Sequence, residues 1–184
     1  MKFKTFEILG PCLIDCDIFV DKRGYFSESY QAKKFNNAFK KTVNFIQDNH
    51  SFSLKKGTIR GLHYQSPPFA QAKLVKCIQG GIIDIIVDVR VQSSTFGNHI
   101  RVELNSRNHQ QLYVPEGFLH GFCTTEDNTL VIYKVNNPYS PESEGAVMWN
   151  SPTLDLNWGS ENIEYTLSNK DAKAVSFKDW KSPF

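Results

Sequence analysis

The chain has 184 residues, enough for one domain, taken as residues 1–184, with a substantial core. Lys and Arg number 21 against 19 Asp and Glu, a net charge of +2 that gives no whole-surface attraction to nucleic acid or an anionic membrane. The start, Met1-Lys-Phe-Lys-Thr-Phe-Glu7, lacks the apolar run of a secretory leader, and no stretch is long enough to span a bilayer, so a cytoplasmic protein is expected. Cys12, Cys16, Cys77 and Cys123 are scattered with no paired CxxC spacing, as expected of reduced, partly buried thiols.

In chain order, the first periodic segment is a helix near residues 30–42, where Tyr30, Phe35, Ala38 and Phe39 share a stripe. Gly57-Thr-Ile-Arg-Gly-Leu-His-Tyr-Gln65 follows. A plain strand would put Arg60 opposite His63, but a bend or bulge at Gly61 would aim both at one site. In Lys73-Leu-Val-Lys-Cys-Ile78, Lys73 shares a face with Val75 and Cys77, and Lys76 shares one with Leu74 and Ile78. At least one lysine therefore belongs to an apolar face, either snorkelling at a rim or aimed at a developing negative charge.

Ile83, Ile85, Val87 and Val89 form one face of the next strand, with Asp84, Asp88 and Arg90 on the other. Arg101–Leu104, Gln111–Val114 and Leu130–Val135 are further strands, separated by turn signals such as Gly80-Gly81 and Pro115-Glu-Gly117. His120 falls on the face of Phe118 and Phe122, and Tyr133 on that of Val131 and Val135, where a tyrosine is as ordinary in a core as in a site. Val175–Trp180 is expected to dock as a short helix, within C-terminal helical turns at about 168–184. Many short strands with regular turns imply a mainly β, antiparallel barrel or sandwich with few helices.

The constellation resembles the cupin barrel, a jelly roll. Pro115, Gly117 and His120 match the second cupin motif. Gly57 and His63 match the first, but Gln65 stands where metal cupins have a second histidine, and Lys73 lies where their glutamate would be. A cation beside a depleted ligand set suits proton transfer better than a divalent metal, so no metal and no cofactor are expected. A metal-dependent cupin enzyme and a non-catalytic sugar-nucleotide binding protein are the rival readings.

The match narrows through Asp21–Glu28, Gln47–Ser51, Arg60–Gln65, Ala70–Val75, Ser94–Gly97, Pro115–Phe122, Val131–Lys134 and Ser168–Asp171. In order and spacing these segments resemble the dTDP-4-dehydrorhamnose 3,5-epimerase family along nearly the whole chain; Asn169 stands where that family often has Asp. The resemblance implies an isomerase that epimerises a nucleotide-diphospho 4-keto-6-deoxy sugar. It implies His63 as general base with Asp171 as its partner, Tyr133 as acid on the opposite ring face, and Lys73 near the sugar O4. It implies substrate contacts from Arg23, Glu28, Gln47, Asn49, Arg60, His120, Glu144 and Lys170, with aromatics such as Phe26 or Tyr139 stacking on base or sugar. It also implies a homodimer exchanging an N-terminal segment of about residues 1–30, so that Arg23 and Glu28 serve the neighbouring site. Relatives of the same family invert only C3 or only C5, or act on other 4-keto sugars, including heptoses on GDP.

The chemistry follows from the ketone. A carbonyl at C4 acidifies the hydrogens on C3 and C5, because the carbanion delocalises onto O4. Inversion then needs a base, an acid on the other face and a cation near O4. An imidazole is matched to proton abstraction near neutral pH, and a cation that prefers the enolate to the ketone acts on the transition state selectively.

Overall fold

The structure is a computed structural model that describes residues 1–159 and 163–184. Alternating β-branched and aromatic residues make short strands here because each face of the pleat can be hidden separately. In chain order these are β1 (Lys2–Thr5), β2 (Cys12–Asp15), β3 (Phe19–Asp21), β4 (Gly24–Phe26), β5 (Gln47–Ser53), β6 (Ile59–Gln65) and β7 (Lys73–Gln79). They continue as β8 (Gly81–Asp88), β9 (His99–Asn105), β10 (Gln110–Val114), β11 (Phe118–Thr124), β12 (Thr129–Val135) and β13 (Glu144–Ala146). Helix α1 (Ala32–Phe39) follows β4, and the single turn α2 (Asn169–Ala172) follows β13.

One antiparallel sheet runs β1-β2-β10-β7-β12-β5 and a second runs β13-β6-β11-β8-β9. Their inner faces share one core, with Val75, Leu112 and Val131 from the first meeting Ile86, Leu104, Phe118 and Phe122 from the second. The antiparallel barrel expected from the strand pattern is present. Its outer faces are covered as well. Phe35 of α1 packs on Ile14, Leu74 and Tyr113. Leu154, Trp158, Phe177, Trp180 and Phe184 lie over Ile83, Ile85, Val87 and Leu119.

Three departures from the pattern have physical causes. All of β8 is buried, including the face that alternation assigns to Asp84 and Asp88, because that face lines the barrel interior. Burial opposes the charge on Asp88, but hydrogen bonds from Arg90, Ser93 and Thr95 outweigh it and bring its pKa to about 2. Val175–Trp180 is not a helix: Val175 bridges Val147, and its carbonyl accepts from the Met148 N–H at 2.8 Å. That backbone is committed to extending β13, while Phe177 and Trp180 still dock as apolar cover. Helix α1 is shorter than residues 30–42. The Gln31 side chain caps its start by accepting from the Lys34 N–H at 2.6 Å, and Lys40, with φ of 49°, ends it in the left-handed region.

Candidate active site

The site begins with a bulge. In the pairing of β6 with β11, His63 lies opposite His120 and Arg60 opposite Phe122. Gly61 and Leu62 therefore face the single residue Gly121, and the extra residue turns Arg60 and His63 to the same side. Gly61 has φ of +132°, and a Cβ on it would lie 2.5 Å from the Gly121 Cα. Only glycine meets both demands.

His63 Nε2 lies 2.5 Å from Asp171 Oδ1. Against an ionised carboxylate Nε2 must be the donor, which leaves Nδ1 with a lone pair and no hydrogen-bond partner among the described residues. Asp171 is held by α2, where the Ser168 Oγ accepts from the Asp171 N–H at 3.1 Å. Burial pushes the Asp171 pKa up, but the bonds from His63, Ser168 and the Gly61 backbone overcome it and leave it below the ordinary value.

Lys73 enters from β7 on the face of Val75 and Cys77, inside the barrel, while Lys76 points to the outer face with Leu74. Loss of hydration lowers the Lys73 pKa to about 8, although Asp84 and Glu144 counter that drop. Its Nζ lies 3.4 Å from His120 Nδ1. His120 Nε2 in turn lies 2.9 Å from Asp84 Oδ1, and burial lowers the His120 pKa, favouring the neutral ring. Burial raises the Tyr133 pKa, so its phenol holds its proton more tightly.

Arg60, His63, Lys73, His120, Tyr133, Glu144, Lys170 and Asp171 line one cavity of about 440 Å³, within the range of small-molecule sites. Glu144 accepts from Lys170 Nζ at 2.5 Å and from the Tyr139 hydroxyl at 2.8 Å, linking Tyr139 to the rim. These bonds hold the Glu144 carboxyl ionised against the upward push of burial. Arg60 is braced on β5, donating to Ser53 Oγ at 3.2 Å and the Phe52 carbonyl at 3.1 Å. Cations outnumber carboxylates on this wall, which suits an anionic ligand.

The other candidates lie elsewhere. Gln47 donates to Asn49 at 2.8 Å on β5, and Asn49 pairs in register with Tyr133 but borders a separate cavity of about 210 Å³. Arg23, Phe26 and Glu28 do not reach the pocket of their own chain. Arg23 clamps Asp21 at 2.5 Å, Phe26 is 68 % exposed, and Glu28 holds Lys34 at 2.6 Å. The cause is the β3–β4 hairpin, which forms its own two-stranded sheet instead of joining the barrel.

The pocket also contains residues the sequence did not single out. Ser51, Thr58, Thr166 and Leu167 line it, and Asp84 stands behind it. An acid in an isoleucine-rich strand was the only signal for Asp84. Thr58 and Thr166 are joined by a parallel bridge between segments more than a hundred residues apart, which no local pattern announces.

The sequence model of the family described as dTDP-4-dehydrorhamnose 3,5-epimerase matches residues 5–179. The chain belongs to the dTDP-4-dehydrorhamnose 3,5-epimerase family. The chain of this epimerase is 43 % identical over 173 residues to the dTDP-4-dehydrorhamnose 3,5-epimerase of Shigella flexneri, covering 94 % of each chain. It superposes with a TM-score of 0.92 and 38 % identity on the dTDP-6-deoxy-D-glucose-3,5-epimerase of Legionella pneumophila Philadelphia 1, solved with dTDP-4-keto-L-rhamnose, over 96 % of this chain and 93 % of that one. It is also similar, at 30 % identity and a TM-score of 0.89, to a 3'-monoepimerase of Streptomyces bikiniensis solved with dTDP-quinovose, covering 94 % of this chain and 86 % of the other. The epimerase thus has the cupin-like jelly roll of its relatives and is an isomerase acting on a sugar nucleotide.

Proposed function

We propose that this epimerase inverts C3 and C5 of dTDP-4-dehydro-6-deoxy-glucose, giving dTDP-4-dehydrorhamnose. The observation that carries the reading is that the His63–Asp171 pair, the Tyr133 phenol and the Lys73 ammonium border one cavity. His63 Nδ1 takes the hydrogen from C3 or C5 while Asp171 stabilises the imidazolium that forms. Electrons of the broken C–H bond move into an enolate on O4, where Lys73 meets the charge. Tyr133 returns a proton to the carbon from the opposite face and regains one from solvent, and His63 releases its own, so the reaction closes without a redox partner. Arg60, Lys170 and His120 hold the diphosphate and sugar, and Glu144 and Tyr139 shape the rim.

The functional unit in this reading is a homodimer in the cytoplasm. Phe19, Val20, Tyr25 and Phe26 are each 60 % or more exposed on the hairpin, an apolar surface that a second copy would cover. Arg23, Phe26 and Glu28 would then serve the partner's pocket, with Gln47 and Asn49 at the junction. The four cysteines are free, as suits a reducing compartment.

Proton NMR in deuterated water with dTDP- and GDP-linked 4-keto-6-deoxy sugars tests the reaction. Loss of both the C3 and C5 proton signals on the dTDP substrate is expected. Washout at C3 alone would make it a mono-epimerase, and washout only on the GDP sugar would replace the nucleotide. Sedimentation equilibrium should give twice the chain mass.

A further inference from the structure

Among the described residues, Asp84 is the carboxylate that reaches this pocket's machinery without lining the cavity. It is fully buried on β8, its Oδ1 accepts from His120 Nε2 at 2.9 Å, and its Oδ2 is buried with no hydrogen-bond partner among the described residues. Such a group is expensive to bury, and a barrel interior otherwise filled with Ile82, Ile86 and Phe122 would pack as well around a leucine. We propose that Asp84 is a positioning residue for Lys73, acting through His120: it fixes the imidazole as the Nε2–H tautomer, so that Nδ1 presents a lone pair to the Lys73 ammonium and holds that ammonium toward the sugar.

The chemistry is a matter of tautomers. A carboxylate can only accept, so the proton of the neutral ring is held at Nε2. Nδ1, 3.4 Å from Lys73 Nζ, can then accept from the ammonium but not repel it. The remaining ammonium protons stay free for the ligand. An asparagine at position 84 could donate its amide to Nε2 and move the ring proton to Nδ1, where it would face the ammonium. The groups around Lys73 are His120 on β11, Asp84 on β8, Glu144 on β13, Arg60 and His63 on β6, Tyr133 on β12, and Lys170 and Asp171 on α2. Of these, Asp84 and Glu144 both help keep the ammonium protonated, and only Glu144 has cationic and phenolic partners of its own. The inference rests on the proposed role of Lys73 in enolate stabilisation.

The test uses full-length Asp84→Asn and Asp84→Ser, so that whichever stays folded by near-ultraviolet circular dichroism supports the measurement. Three readouts are taken: the pH profile of kcat/KM for C3 and C5 hydrogen exchange, the pH midpoint of Lys73 acylation by mass spectrometry, and the His120 tautomer by nitrogen-15 NMR. The substitutions should move the alkaline limb and the acylation midpoint down together by about one pH unit, the usual effect of losing a nearby opposite charge. At pH 8 kcat should fall about fivefold with KM little changed, because a group titrating near 8 goes from half to about a tenth protonated, and in Asp84→Asn the ring proton should leave Nε2. A limb, midpoint and tautomer that all stay at wild-type values overturn the inference while leaving wild-type exchange intact. Absence of exchange in the wild type overturns the functional reading itself, and with it this role.

Discussion

His63 and His120 lie opposite each other on paired strands, and each bonds a buried carboxylate through Nε2, yet their surroundings differ. The His63 side chain is 29 % exposed and its Nδ1 is open to the cavity. That of His120 is 8 % exposed, and its Nδ1 already faces an ammonium. The His63 partner comes from α2, 108 residues away, whereas the His120 partner comes from the adjoining strand β8. The same two residue types therefore leave an accessible imidazole in one place and a buried one, already facing an ammonium, in the other. Burial and the second nitrogen's neighbour make the difference, not the imidazole–carboxylate pair itself.

Substitutions can break or sharpen that contrast. His63→Ala should give the largest effect, lowering hydrogen exchange at C3 and C5 by about 10³-fold or more, as loss of a general base does; exchange within tenfold of wild type would remove His63 from the base role. Tyr133→Phe should lower kcat about 10²-fold while still releasing substrate hydrogens, and product NMR should show altered stereochemistry; normal product at a normal rate would assign the acid elsewhere. Gly61→Ala should destabilise by about 3 kcal/mol through a strained backbone and a collision with Gly121, and denaturant unfolding reads it directly.

Lys73→Met should do the opposite to stability. Lys73 has a pKa lowered to about 8, so the unfolded chain binds more protons between that value and the ordinary one near 10.5. Wild-type stability should rise with pH through that window, and the methionine variant should lose the rise and gain about 1–3 kcal/mol at pH 7. Its activity should fall sharply at every pH. Arg23→Ala should leave the denaturant unfolding midpoint at the wild-type value, because its ion pair with Asp21 is exposed. Its effect should appear as weaker nucleotide-sugar binding by calorimetry.

Much of the fold was legible because strand alternation and turn residues are local. That Lys73, Val75 and Cys77 share a face could be counted by twos, with the choice of the interior face left to the packing, and Gly61 marked the bulge that puts Arg60 beside His63. What escaped was non-local. Alternation placed Asp84 on a polar face, and polarity reads as solvent unless the end of a barrel takes that face inside. Val175–Trp180 read as a helix because its backbone partner, Val147, lies far back in the chain. Thr166 and Leu167 join the cavity only through the parallel bridge that anchors their segment beside β6. In the proposed homodimer, the place of Arg23, Phe26 and Glu28 depends on a surface outside the single chain, which neither alternation nor intrachain packing describes.

The span between His63 and Asp171 has a consequence for biogenesis. A chain still emerging from the ribosome could assemble most of both sheets while its imidazole at position 63 lacked the carboxylate that orients it. In the proposed mechanism, proton abstraction would switch on only once the segment carrying Asp171 had docked, so a clipped or unfinished product would lack both the orienting carboxylate and the Lys170 contact.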